Sequence, residues 1–273
     1  MKIEEVALRF QGFQLHRLIL SPDDSARGTL IFFHGQGDFI DRYPPIIEAF
    51  VAEGWKCILT DLPGHGQSEG ARGHVPGFPF VDAMVNAIPI AGKVAIAGHS
   101  MGGLLALREF LKKPDLYRFG WFSSPLLHPA HQASPLMKTI LPVVAGVFPW
   151  ITRSTGVRAE DCTQGERNDQ AEAKTLYHAK ISLGWARDLF EAAKILETQW
   201  LNLSTEAPVL FTQGSADPVC PAPFLRSQLG KQEAPNLHYH EIKDALHEPF
   251  TGATAEEFQS ILRKEIRQHL LIT

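Results

Sequence analysis

The apolar run Val94-Ala95-Ile96-Ala97 ends in Gly98-His99-Ser100-Met101-Gly102, and a helical pattern of Leu104, Leu105, Leu107, Phe110 and Leu111 follows at once. A buried-type strand, a glycine-bounded turn and a helix in one short stretch leave the chain few ways to fold locally. The form G-x-S-x-G on a strand-to-helix turn is the setting of a nucleophile elbow: the turn exposes the serine oxygen, and the glycines let the two backbones approach closely. A hydroxyl attacks poorly at neutral pH until a base takes its proton. Ser100 as a nucleophile therefore requires partners from elsewhere in the chain.

The pattern around the elbow predicts where those partners sit. Strands are expected at Val6–Phe10, Gln14–Leu20, Thr29–His34, Lys56–Thr60 and Lys93–Ala97, with helices around Tyr43–Glu53 and Phe80–Ile90. This alternation predicts an α/β fold with a mostly parallel central sheet and helices on both faces, opening with an antiparallel hairpin. After Gly120-Trp121-Phe122-Ser123-Ser124-Pro125 the rhythm breaks. Residues 126–190 are rich in Pro, His, Ser and Thr, turn polar at Glu166–Gln170, and carry no strong strand signal. Strands return at Pro208–Gln213 and Leu237–Ile242, with helices over Ala222–Gly230 and Thr254–Leu270. The expected organisation is a core of residues 1–125 and 191–273 with a cap inserted at 126–190. Open α/β sheets bind ligands beyond the C-terminal strand ends, where such an insertion covers the site.

Composition excludes several other classes. The 273 residues are 44% apolar and 21% charged, an ordinary globular balance that allows a sizeable core. A formal charge of -4 without a Lys/Arg run leaves no footprint for nucleic acid. Cys57, Cys162 and Cys220 are odd in number and widely spaced, neither a disulfide framework nor a zinc pattern, which suits a reducing cytosol. The opening Met1-Lys2-Ile3-Glu4-Glu5 lacks the apolar core of a signal peptide. The apolar stretch Pro135–Ile151 contains Lys138, Pro142, Gly146 and Pro149 and falls short of the ~20 residues a bilayer span needs, so it reads as a cap or surface helix. A cytoplasmic location, peripheral to membranes at most, is the expectation.

A serine nucleophile needs an imidazole, and the imidazole needs an acid that fixes its tautomer and stabilises its charge. The acid candidate is Asp217, directly after the strand Val209–Thr212; the base candidate is His247, after the last strand. Both lie at the strand ends that carry Ser100. His238 and His240 alternate within a strand and point into packing or solvent, and the elbow turns His99 elsewhere. Asp244 is the rival acid, on the histidine's own loop, and Glu248 sits where it biases the field at His247. The oxyanion donors expected by position are the backbone N–H of Met101, after the nucleophile, and that of Gln36, in the loop His34-Gly35-Gln36-Gly37-Asp38. The Asp61–Gly70 loop, with Arg72 and His74, is expected to support structure rather than to touch substrate.

These motifs together resemble the monoacylglycerol lipase and lysophospholipase branch of the α/β-hydrolases. His34-Gly35-Gln36-Gly37-Asp38 with Arg42-Tyr43 is similar to that branch's H-G-x-G-E-x-x-x-R-Y, with Asp for Glu. Asp61–Gly70 resembles its D-x-x-G-H-G-x-S-x-G, and Arg72-Gly73-His74-Val75 continues the likeness. Gly98–Gly103 is its G-H-S-M-G-G, Ser123-Ser124-Pro125 resembles the end of its sixth strand, and Gly214, Asp217, Cys220 and His247-Glu248 fall in register with its acid and histidine loops. The likeness spans roughly residues 30–125 and 205–250. In the cap, Arg167–Ala173 departs from the branch's usual Asp-Pro segment.

The resemblance implies an α/β-hydrolase fold, a triad of Ser100, Asp217 and His247, an oxyanion hole of the Gln36 and Met101 N–H groups, and a lid with an apolar side. The chemistry it implies, ester hydrolysis through an acyl-enzyme, requires no metal and no organic cofactor. The expected partner is a small lipid or ester substrate, most simply a monoacylglycerol or lysophospholipid, with transient membrane-surface contact through the cap and no nucleic acid. The cap residues Leu126, Leu127, Leu136, Met137, Ile140, Leu141, Val143, Val144, Val147, Phe148 and Trp150 serve either as core or as an acyl tunnel. A short-chain carboxylesterase, a thioesterase or an acyltransferase uses the same triad, and a non-catalytic ligand sensor is the alternative outside catalysis.

Overall fold

The structure, a computed structural model, describes residues 1–130, 143–163, 175–199, 206–230 and 236–270. The expected cap residues Leu136, Met137, Ile140 and Leu141, and the segment Arg167–Ala173, lie outside them. The chain opens with β1 (Lys2–Phe10), β2 (Phe13–Ser21) and β3 (Gly28–Phe33), then α1 (Pro44–Ala52), β4 (Trp55–Thr60), α2 (Phe78–Asn86), β5 (Lys93–His99), α3 (Met101–Lys112) and β6 (Tyr117–Ser123). After the excursion described below come β9 (Val209–Gly214), α6 (Ala222–Leu229), β10 (Leu237–Ile242) and α7 (Ala255–Leu270).

One eight-stranded sheet runs in the order β1-β2-β4-β3-β5-β6-β9-β10. β1 pairs antiparallel with β2, and β2 with β4; every later pairing is parallel. The antiparallel opening and the parallel body agree with the alternation read from the sequence. β3 and β9 are buried along their whole length, as continuous apolar strands covered on both faces must be. β1, the edge, is exposed over its charged first half, with Lys2, Glu4 and Glu5, which discourages pairing with another chain.

The two faces carry separate cores. On one, α1 and α7 bury Ile47, Phe50, Phe258, Leu262 and Ile266 against Phe32, Leu59 and Trp121. On the other, α2, α3 and α6 bury Phe80, Met84, Leu104, Leu107 and Leu225 against Ile31, Ile96 and Phe122.

Between β6 and β9 the chain leaves the sheet. It contains a two-stranded antiparallel ribbon of β7 (Thr152–Ser154) and β8 (Lys180–Ser182), a short helix α4 (Ala159–Cys162), and α5 (Leu183–Gln199). The ribbon was not expected; three residues per strand are too few for a period-two pattern to register. α5 passes through residue 190, the expected end of the cap, without interruption. Its Trp185, Leu189, Ala192, Ala193 and Leu196 join the α3-side core. Among the described residues, no helix is long and apolar enough to cross a membrane.

Candidate active site

Ser100 sits between the last residue of β5 and the first of α3, with φ 56° and ψ −118°. A non-glycine residue in that region is strained, and it is held here by its surroundings. Its N–H donates to the Ser123 carbonyl at 2.9 Å, anchoring the elbow on β6. A Cβ on Gly98 would lie 2.1 Å from the Gly102 carbonyl oxygen, and one on Gly102 would lie 2.1 Å from that of Phe33. The two glycines of the motif thus permit the close strand–helix approach that aims Ser100 outward.

Asp217 follows β9 and His247 follows β10, so parallel strands deliver both to the C-terminal edge of the sheet near Ser100. His247 Nε2 lies 2.8 Å from Ser100 Oγ, and His247 Nδ1 lies 2.8 Å from Asp217 Oδ2. The acid is itself fixed. Its Oδ1 accepts the N–H groups of Val219 and Cys220 at 2.8 and 2.9 Å, and its Oδ2 accepts Gln213 Nε2 at 2.7 Å. These donors compensate a buried carboxylate and aim one oxygen at the imidazole. Asp244, the rival acid, is a turn residue at φ 59° whose N–H donates to Ser215 Oγ; Asp217 is the carboxylate that meets His247.

His99 differs from expectation. Its ring packs 4.9 Å from the His247 ring and edge-on to Phe250, also at 4.9 Å. Burial first, and then the neighbouring His247, drive its pKa well below the usual histidine value. The side chain thus acts as a neutral wall behind His247. His238 and His240 turn instead toward α7.

The Met101 N–H opens α3, where a helix has no internal acceptor for it. Gln36 and Ser100 line the same cavity. Both expected oxyanion residues are braced by one side chain that sequence reading missed. Trp185 Nε1, fully buried at the start of α5, contacts Gln36 Oε1 and Met101 Sδ, each at 3.2 Å. Gln36 Nε2 also donates to the Lys180 carbonyl at 2.8 Å. A tryptophan in a weakly amphipathic segment carries no sequence signal for such a contact.

A second brace is ionic. Arg42 Nη1 donates to both oxygens of Asp38 at 3.0 Å, and its Nη2 donates to Glu248 Oε2 at 2.7 Å; the Tyr43 hydroxyl donates to Asp38 Oδ2 at 2.6 Å. Burial alone would raise the Asp38 pKa, but the Arg42 guanidinium and the Tyr43 hydroxyl overcome it and hold the carboxyl below its usual value. The Arg-Tyr pair was visible only as part of a motif. In the fold it ties the loop after β3 to the loop that carries His247.

The Asp61–Gly70 loop holds itself together, as expected. Asp61 accepts the N–H groups of Ile40 and Gln67, Ser68 Oγ donates to the Asp61 carbonyl, and Arg72 donates to the Gly66 carbonyl. His74 Nδ1 reaches Ser182 Oγ on the ribbon at 2.9 Å. The ribbon approach also brings His178 onto this loop. His178 Nε2 donates to the Gly64 carbonyl at 2.9 Å, its N–H donates to that of Gly37 at 3.0 Å, and its ring lies 4.9 Å from His65. On the other side, α4 touches the histidine loop: the Glu248 N–H donates to the Cys162 carbonyl at 2.8 Å.

Beside these groups lies a cavity of about 620 Å³, lined by Ser100 and His247 together with Leu126, Ile181, Leu183, Leu189 and Phe190. A Ser–His–Asp geometry lining a largely apolar chamber suits acyl transfer from an ester with a hydrocarbon tail.

Comparison with known proteins places the chain in a family. The profile of the family described as "Serine aminopeptidase, S33" matches residues 24–252. The phospholipase YtpA of Bacillus subtilis (strain 168) is 27% identical over 263 residues, covering 90% of this chain and 98% of that protein. An abhydrolase domain-containing protein of Dictyostelium discoideum is 28% identical over 258 residues, but the chain spans only 26% of that relative's length. Among solved structures, the monoacylglycerol lipase of Paleococcus ferrophilus matches with a TM-score of 0.80 and 25% identity, over 94% of this chain and 99% of that one. Matched by its profile over well over half of its length, the chain belongs to the serine aminopeptidase S33 family of α/β-hydrolases.

Proposed function

We propose that this protein hydrolyses carboxylic esters of lipids, with monoacylglycerols or lysophospholipids as substrates, through an acyl-enzyme on Ser100. The observation that carries the reading is the unbroken Asp217–His247–Ser100 array, with both contacts at 2.8 Å, whose Ser100 and His247 line a largely apolar cavity. His247 takes the Ser100 proton as Oγ attacks the ester carbonyl. Asp217 holds the tautomer and stabilises the imidazolium. The N–H groups of Gln36 and Met101 receive the oxyanion, where preorganised donors act most strongly. His247 then protonates the leaving alcohol; water, activated the same way, releases the fatty acid and restores Ser100.

The chain between β6 and β9 acts as the cap. Because α5 is one continuous helix, we read the cap over residues 126–199 rather than ending it at 190. Leu189 and Phe190 on α5 and Leu126 would receive the acyl chain. Val143, Val147, Phe148, Trp150 and Ile151 are exposed, an apolar cluster on the cap that supports transient docking on a membrane surface by a cytoplasmic enzyme. The phospholipase and monoacylglycerol lipase activities named for two relatives support the same substrate class.

The test pairs a fluorophosphonate label with a substrate panel of monoacylglycerols, lysophospholipids and short p-nitrophenyl esters. Labelling is expected at Ser100, with long-chain substrates preferred, and Ser100→Ala should lower kcat by roughly 10⁶-fold. Full activity in Ser100→Ala would remove the nucleophile assignment. Turnover of acetate and butyrate esters alone would remove the lipid assignment.

A further inference from the structure

We propose that His238, Glu265 and His269 form a binding site for a divalent transition metal of the zinc class, at the sheet edge and apart from the ester-cleaving centre. β10 is the last strand of the sheet. His238 and His240, two residues apart, project from the same face of it toward α7. Glu265 and His269 lie one turn apart on α7, at the i and i+4 spacing that puts two side chains on one helical face. Strand and helix together bring two imidazoles and a carboxylate to a single point.

The distances from Glu265 to the two imidazoles match the spacing of ligands around a metal ion. Glu265 Oε2 is 3.3 Å from His269 Nε2 and 3.5 Å from His238 Nδ1, and one ligand atom from each of the three residues lies within 4.8 Å of the others. Ligands about 2.0–2.1 Å from a tetrahedral zinc stand roughly 3.3–3.4 Å apart. Glu265 is 2% exposed, yet its Oε2 has no hydrogen-bond partner, and neither has the buried Nε2 of His269 that faces it. A buried carboxylate oxygen and a buried ring nitrogen that face each other without a well-aligned hydrogen bond are costly, and a shared cation satisfies both.

The surroundings are those of a metal site as well. His240 Nε2 lies 2.8 Å from Glu265 Oε1, the other carboxylate oxygen. That contact orients the carboxylate and leaves Oε2 free for the ion, the usual role of a residue just outside a coordination sphere. The side chains of His238 and His269 are 28% and 21% exposed, which provides an entry path and room for a water as fourth ligand. Two imidazoles with one carboxylate select zinc and its first-row neighbours over calcium or magnesium, which prefer all-oxygen shells. His238 is the second residue of β10, whereas His247 follows the strand's other end. The ion would therefore staple the last turn of α7 to the sheet edge and take no part in ester cleavage.

The full chain, stripped with a chelator, is titrated with zinc chloride and followed by calorimetry, by metal content after dialysis and by thermal melting. One zinc per chain, a raised Tm and unchanged ester hydrolysis are expected. His238→Ala and His269→Ala should each lose that equivalent, and His240→Phe should weaken it by roughly 10–100-fold. His238→Ala alters a partly exposed strand position and keeps the test decisive should Glu265→Gln or His269→Ala fail to fold. No zinc uptake by the stripped chain, or an undiminished equivalent in His238→Ala, would overturn the site and leave the cluster a purely ionic contact.

Discussion

Trp185 shows how much one side chain can carry at the residue scale. Its indole N–H meets Gln36 and Met101, the two residues whose backbone donors are proposed to receive the oxyanion. An oxyanion hole works because its donors are in place before charge develops. Trp185→Phe keeps an aromatic ring in the core but removes the N–H together with the five-membered ring that carries it. A hydrogen bond of about 0.5–1.5 kcal/mol converts to a loss of up to roughly tenfold, so kcat should fall several-fold with KM nearly unchanged. Steady-state kinetics on one long-chain ester decides this; an unaltered kcat would reduce Trp185 to a packing residue. The serine motif was legible without any structure because its residues are neighbours in sequence. Trp185 was not, since its partners lie far from it along the chain and meet it only after folding.

At the scale of elements, the ribbon of β7 and β8 is a clamp. His178, just before β8, lies against the loops after β3 and β4 through Gly37 and Gly64. Gly37 has φ 74°, and a Cβ there would sit 1.9 Å from the His178 carbonyl oxygen. Gly37→Ala should therefore cost about 1–3 kcal/mol, from backbone strain and a displaced ribbon together. Urea denaturation measures that cost; protease nicking within the cap, faster than in the parent protein, would localise it. Stability within about 0.5 kcal/mol of the parent would show that the ribbon is not anchored there. Seven of the eight strands of the main sheet were foreseeable from apolar runs and alternation, in the right order; β6 entered only through the resemblance of Ser123-Ser124-Pro125 to a strand end. The ribbon and α5 were not foreseen. The former is too short to show a period, and the latter has a hydrophobic face spread among Trp, Ala and Leu within a segment dominated by polar signals.

Across the whole molecule, buried histidines link cap, oxyanion loop and nucleophile loop, and they make stability depend on pH. Burial lowers the pKa of His65 and His99 well below the usual value and lowers that of His178 as well. A group whose folded pKa is depressed binds fewer protons folded than unfolded, so stability rises with pH through that range. The contribution is complete above the ordinary histidine pKa of about 6.5 and is lost as pH falls below it. His16 works the other way: burial lowers its pKa, but the contact with Asp41 raises it further, so its share is present in acid and lost as pH rises. These three groups, joined by the less buried His74 and His269, outweigh His16 and predict a lower urea midpoint at about pH 5.5 than at about pH 7.5. A midpoint that holds or rises on acidification would refute this. The sequence alone determined the sheet, the elbow and the identity of Ser100, Asp217 and His247 as candidates, because strand periodicity and turn chemistry are local and parallel topology sends every strand end to one edge. Only the tertiary structure decided what steadies them: the Asp38–Arg42–Glu248 brace, the Trp185 contact, the His178 clamp and the His238–Glu265–His269 cluster. Each joins residues from separate elements, and no local pattern records a distance that exists only once the chain has closed on itself.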